Sequence, residues 1–190
     1  MAESEEIACV DCLVPAAGRS ERMGAWKPTL PFGSANIIGT VVDSALRACA
    51  RVILVTGYRG GELAALFSGE KRVTVVENPG WELGMFSSIR CGAARVTTER
   101  FFVALGDMPW IPSQAYGCLL QGPEADAVFP VFNGRRGHPV LFSRRIIPAV
   151  LAADPRSGSM REIAAGLSAA ELPWEDDSIL RDIDTMEDYQ

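Results

Sequence analysis

Histidine is almost missing from this chain: His138 stands alone among 190 residues. A zinc site built from several imidazoles is therefore excluded. No apolar run approaches the ~20 residues that a membrane-spanning helix needs, so no membrane partner is expected. Runs of basic residues are also lacking. Lys and Arg number 18 against 24 Asp and Glu, for a net charge of −6. Such a balance fits poorly with nucleic-acid binding. A small anionic ligand remains compatible, because a few local cations can focus field inside a cleft. The first residues, "MAESEE", are acidic, the reverse of a secretory or mitochondrial leader, and a cytoplasmic protein is expected. The five cysteines are odd in number and irregular in spacing, which gives no disulfide framework. Cys9 and Cys12 spell C-x-x-C, but within an apolar strand residues three apart point to opposite faces. Both are expected to be small buried hydrophobes.

What the chain does have is a regular alternation. Short apolar runs occur at 8–16, 51–57, 72–80, 100–107 and 126–132, and a shorter one at 138–142. The second and fourth are almost continuously apolar, as strands covered on both faces must be. Helical patterns lie between them at about 35–49, 60–68, 84–95 and 112–121, with a further one at 144–153. No repeat, low-complexity tract or long linker divides the chain. The reading is one domain, residues 1–190, of α/β class: a Rossmann-like, three-layer fold with a mostly parallel sheet. Ligands of such sheets bind beyond the carboxyl ends of the strands. The residues leaving those ends are Ala16-Ala17-Gly18, Gly57-Tyr58-Arg59, Asn78-Pro79-Gly80 and Gly106-Asp107-Met108-Pro109.

Several of these segments can carry chemistry. In "PAAGRSERMGAWK" (15–27) the small residues Ala16, Ala17 and Gly18 let a ligand approach the backbone, and Arg19, Arg22 and Lys27 supply positive charge. The spacing is not that of a Walker P-loop; a solvated Gly-rich loop fits it equally well. Asp107 ends an apolar run, where a carboxylate needs a partner or a cation. It suits Mg²⁺ bridging phosphate oxygens, and alternatively it caps the helix near Pro112. Asp184 reads best on local grounds as the cap of a terminal helix, with Glu187 three residues on. Ser87 and Ser88 stand near a helix start that either attracts an anion or is capped by them. Arg135, Arg136 and His138 lie on a turn before a strand, fitting phosphate or solvent alike.

Taken together the segments resemble the molybdenum cofactor nucleotidyltransferases, most closely the cytidylyltransferase branch. The matching stretches are "PAAGRSERMGAWK", "NPGWELGMFSS", "GDMP", "GHPVLF" and "DIDT", in family order from about residue 8 to residue 189. The resemblance implies a nucleotidyltransferase fold and the transfer of CMP from CTP to the terminal phosphate of molybdenum-loaded molybdopterin, with pyrophosphate leaving. It implies nucleotide binding by Ala16, Ala17, Gly18 and Arg19, triphosphate contact by Arg22, α-phosphate contact by Lys27, and Ser88 near the base. It also implies Mg²⁺ on Asp107 and Asp184, and His138 on the acceptor side of the cleft. A target molybdoenzyme would receive the product. "GMFSS" and Ala17 differ from the guanylyltransferase pattern, which favours CTP over GTP. Pro15 and the loosely matching "ADPRSGSMR" (153–161) leave open another phosphorylated acceptor. A non-catalytic carrier of the cofactor is the alternative of a different class. Retention of Lys27, Asp107 and Asp184 together argues against it.

Overall fold

A computed structural model of the chain describes residues 8–190, apart from the side chain of Arg22. In chain order the strands are β1 (Ala8–Pro15), β2 (Pro31–Phe32), β3 (Ala35–Asn36), β4 (Cys49–Thr56), β5 (Val73–Glu77), β6 (Arg100–Val103), β7 (Ala127–Phe132), β8 (Arg135–Arg136), β9 (Val140–Ser143) and β10 (Ala169–Pro173). The helices are α1 (Ile37–Ala48), α2 (Gly60–Leu66), α3 (Met85–Ala93), α4 (Ser113–Leu120), α5 (Ile147–Ala152), α6 (Met160–Ala165) and α7 (Met186–Tyr189). The sheet runs β10-β7-β9-β6-β1-β4-β5, with β8 paired to β7 and a separate β2–β3 hairpin. β1 is parallel to both of its neighbours, β4 and β6. β9 is antiparallel to β6 and to β7, so it runs against the common direction.

Alternation along the strands builds two cores. Cys12, Val14, Leu54 and Phe102 pack on one face with α1 residues such as Ile38 and Val42. Leu13, Ile53, Val55 and Phe101 pack on the other with Phe86 and Ile89 of α3 and Val150 of α5. Neighbours in one strand thus enter different cores, which is why the runs read as continuously apolar. Helix α1 shows the physical pattern that holds such a layer. Its stripe Ile37, Ile38, Val41, Val42, Ala45 and Leu46 is buried, and the Asn36 Oδ1 cap accepts from Gly39 N at 2.7 Å. Each such aliphatic side chain contributes about 1.5–3 kcal/mol on burial.

The chain leaves β1 toward β4 and β5, then crosses back through α3 to β6 on the other side of β1. The reversal opens a crevice at the carboxyl ends of β1 and β6, the place where open α/β sheets bind ligands. One expectation fails: Cys9 is exposed, and only Cys12 is buried. Cys9 lies near the start of β1, where the core does not reach it, whereas burial pushes the Cys12 thiol upward.

Candidate active site

A cleft of about 600 Å³ occupies this crevice, and Ala16–Gly18, Ser88, Asp107, Lys27 and Asp184 all line it. The loops after β1 and β6 pack so closely that a Cβ on Gly106 would stand 3.0 Å from the Pro15 carbonyl oxygen. Glycine is what lets the two loops meet. Ala16 N donates to Val55 O at 2.8 Å, so that amide extends the sheet and is closed to a ligand. The amides of Ala17 and Gly18 have no such backbone acceptor among the described residues. They are the ones that can face phosphate.

Lys27 is placed by a staked loop. Ser20 and Gly24 turn the chain with positive φ of 59° and 65°. Ser20 Oγ accepts from Lys27 N at 3.0 Å, and buried Trp26 donates through Nε1 to Gly18 O at 3.3 Å. Lys27 Nζ then reaches Asp107 Oδ2 at 3.0 Å and Asp184 Oδ1 at 3.1 Å. Asp184 arrives from the far end of the chain. Ile183 N donates to Asp107 O at 2.9 Å, and the Ile183 side chain is fully buried with Met23 and Ile37. Tyr189 Oη donates to Pro31 O at 2.6 Å, tying the terminal helix to the β2–β3 hairpin.

Both local capping readings give way here. The cap of α7 is Thr185, in a box with Asp188, and not Asp184. The cap position of α4 is Pro112, with no side-chain cap, so Asp107 is spared for the cleft. The two carboxylates converge on one ammonium, and their hard oxygens fit a divalent cation of the Mg²⁺ type. Among the described residues no group of three or more His, Cys, Asp or Glu forms a self-sufficient metal site. Substrate phosphates and water would have to complete the shell.

Ser88 belongs to a buried network that residue type alone did not announce. Asn78 Nδ2 donates to Ser87 Oγ at 2.9 Å and to Ser88 Oγ at 3.1 Å, while Asn78 Oδ1 accepts from Gly80 N at 3.0 Å. Neither serine caps α3, whose cap position is Gly84. Arg19 lies at the rim, 46% exposed, paired with Glu82 at 2.7 Å and stacked 4.8 Å over Trp81. The side chain of Arg22 lies outside the described part of the structure. His138 does not line the cleft. Its Nδ1 lies 3.4 Å from Val103 O, and burial lowers its pKa despite the opposing pull of that carbonyl and of Asp107. Arg136 pairs with Glu171 at 2.7 Å on the exposed β8 turn, away from the cleft. Trp26 was missed as a positioning residue, and Asn78, expected at the ligand-binding edge, was given no role of its own. The signal for Asn78 was a lone amide at a strand end, a group that must find partners if buried.

Fold and site together define a nucleotidyltransferase. Residues 12–172 match the MobA-like NTP transferase domain. The chain is 33% identical over 183 residues to the molybdenum cofactor cytidylyltransferase of Escherichia coli (strain K12), covering 96% of this chain and 95% of that one. Among solved structures, Rv0371c of Mycobacterium tuberculosis H37Rv superposes with a TM-score of 0.82 at 26% identity over 96% of each chain. A structure of the same protein in complex with manganese gives 0.78 at 25% identity, again over 96% of each chain. The chain belongs to the MobA-like NTP transferase family.

Proposed function

We propose that this chain transfers CMP from CTP to the terminal phosphate of molybdenum-loaded molybdopterin, within one cytoplasmic domain of residues 1–190, for delivery to a molybdenum hydroxylase. The observation that carries the reading is the Lys27–Asp107–Asp184 cluster, with 3.0 and 3.1 Å contacts, in the crevice between β1 and β6. The name of the Escherichia coli relative supplies the substrate class.

The chemistry asks for positioning and charge neutralisation. An oxygen of the acceptor phosphate attacks the α-phosphorus of CTP; the new O–P bond forms as the bond to the bridging oxygen of the pyrophosphate breaks. The nucleophile is already ionised, so no general base is required, consistent with a histidine outside the cleft. The amides of Ala17 and Gly18 hold phosphate oxygens. Lys27, which is paired with both Asp107 and Asp184 in the free protein, turns to the α-phosphate as its charge builds. Mg²⁺ held by Asp107 and Asp184 would draw charge from the triphosphate oxygens. The family relative solved with manganese supports a divalent ion in proteins of this kind.

The test is pyrophosphate release from the pure protein with Mg²⁺, molybdenum-loaded cofactor and each of CTP, GTP and ATP. Release is expected with CTP and strongly reduced in Asp107→Ala. Cofactor binding without turnover on any triphosphate would overturn the reading in favour of a carrier.

A further inference from the structure

The Asn78 network carries an inference about which base the cleft accepts, and it rests on the nucleotide reading above. Topology sets the Lys27–carboxylate cluster on one side of the cleft, away from a second side whose charges, Arg19 and Glu82, pair with each other at the rim. Asp107 leaves β6, and Asp184 is fastened to it, whereas the Asn78–Gly84 segment leaves β5, three strands away in the sheet order. Three strand spacings are about 14 Å. Triphosphate belongs with Lys27 and the carboxylates, which leaves the uncharged base for the side lined by Gly84 and Ser88.

Hydrogen-bond direction there is fixed by logic and not by assignment. Gly80 N–H can only donate, so the Asn78 atom it meets at 3.0 Å is the oxygen, and the amide NH₂ must face the serines. Ser87 accepts from that NH₂ and donates to Gly84 O at 2.7 Å, which spends its proton. Ser88 accepts from the same NH₂ at 3.1 Å and donates to no group among the described residues. Its hydroxyl proton cannot point back at an N–H donor. Ser88 is 2% exposed and lines the cleft, so the remaining direction is toward the ligand.

We infer that Asn78 is a positioning residue that makes the Ser88 hydroxyl a hydrogen-bond donor toward the base, favouring the acceptor N3 of cytosine over the N3–H of uracil. Asn78→Asp changes one atom and reverses the logic: a carboxylate only accepts, so Ser88 must donate backwards and presents a lone pair to the cleft. The experiment is calorimetric binding of CTP and of UTP, each with Mg²⁺, to the wild type, Asn78→Asp, Ser88→Ala and the double variant.

The wild type is expected to prefer CTP. Both single variants should lower the CTP-to-UTP affinity ratio by about three- to ten-fold, the worth of one neutral hydrogen bond. The double variant should go no lower, because the two residues act through one proton. In turnover the loss should appear in KM for CTP with kcat little changed. A folded Asn78→Asp with an unaltered ratio overturns the inference. Should that variant fail to fold, an unaltered ratio in Ser88→Ala overturns it equally. Equal wild-type affinity for CTP and UTP sinks the inference while pyrophosphate release with CTP preserves the transfer reading. A wild type that binds neither nucleotide overturns both.

Discussion

Lys27 bonds to Asp107 and Asp184 at 3.0 and 3.1 Å with only 14% of its side chain exposed, so in the free protein it is the counterion of both carboxylates. Removing it should therefore do two things. Lys27→Ala should lower kcat by about 100-fold, the size of loss seen when one transition-state donor is deleted. It should also leave two like charges facing each other, which a divalent ion can relieve. Millimolar Mg²⁺ should then raise the melting temperature of Lys27→Ala more than that of the wild type. Equal Mg²⁺ shifts in the two proteins would show that the carboxylates do not share a cation site. Asp107→Asn should lose activity too, and with it most of the Mg²⁺ shift. At this scale the sequence was informative about residues whose type alone demands a partner. Asp107 after an apolar run could be read directly. Asp184 could not, because its local surroundings also spell a helix cap, and only the fold moves that duty to Thr185.

The segment Ile179–Asp184 carries the last carboxylate across the mouth of the sheet, and backbone contacts fasten it. His138 N donates to Ile179 O at 2.9 Å, and Ile183 N to Asp107 O at 2.9 Å. Gly137 lies so close that an added Cβ would stand 2.3 Å from the Ile179 carbonyl oxygen. Gly137→Ala should push the segment outward and draw Asp184 away from Lys27. Activity should fall by more than the accompanying loss of stability, measured by pyrophosphate release beside urea unfolding. Ile183→Ala, which empties a fully buried site, should cost about 2–4 kcal/mol of stability in addition. The six main strand runs and the helices between them were legible from apolar periodicity. The elements that were not legible share a physical cause. β10 buries Ala170 and Leu172 only partly against the core, so its inward face is faint. β2 and β3 are two residues each, too short to show a period. The Asp184–Lys27 contact joins positions 157 apart, and no local pattern encodes such a meeting.

Across the whole molecule the two ends of the sheet divide the work. The cleft uses the carboxyl ends of β1 and β6, while Asp11, four residues before Pro15 on β1, lies about 13 Å back along the strand. Asp11 is buried and accepts from Arg51 Nε at 2.9 Å, Arg51 Nη2 at 2.8 Å and Thr97 N at 2.8 Å. It thereby ties β1 to β4 and to the turn that follows α3. Burial alone would raise its pKa; the Arg51 guanidinium and the Thr97 amide outweigh burial, and the folded value is lowered. A carboxylate with a depressed folded pKa stabilises the protein above its unfolded value of about 3.9. That contribution is lost as pH falls through the lower, folded value. Asp11→Asn should therefore be less stable at neutral pH by about 2 kcal/mol, the range for hydrogen bonds to a charged group. The deficit should begin to shrink as urea unfolding is repeated below the unfolded value of about 3.9, as the wild type starts to lose the same contribution. At neutral pH kcat and KM for CTP should match the wild type, since nothing in the cleft touches Asp11. A deficit that stays constant in acid would show that Asp11 acts by packing and not by charge. A change in KM would show that the two ends of the sheet are not independent.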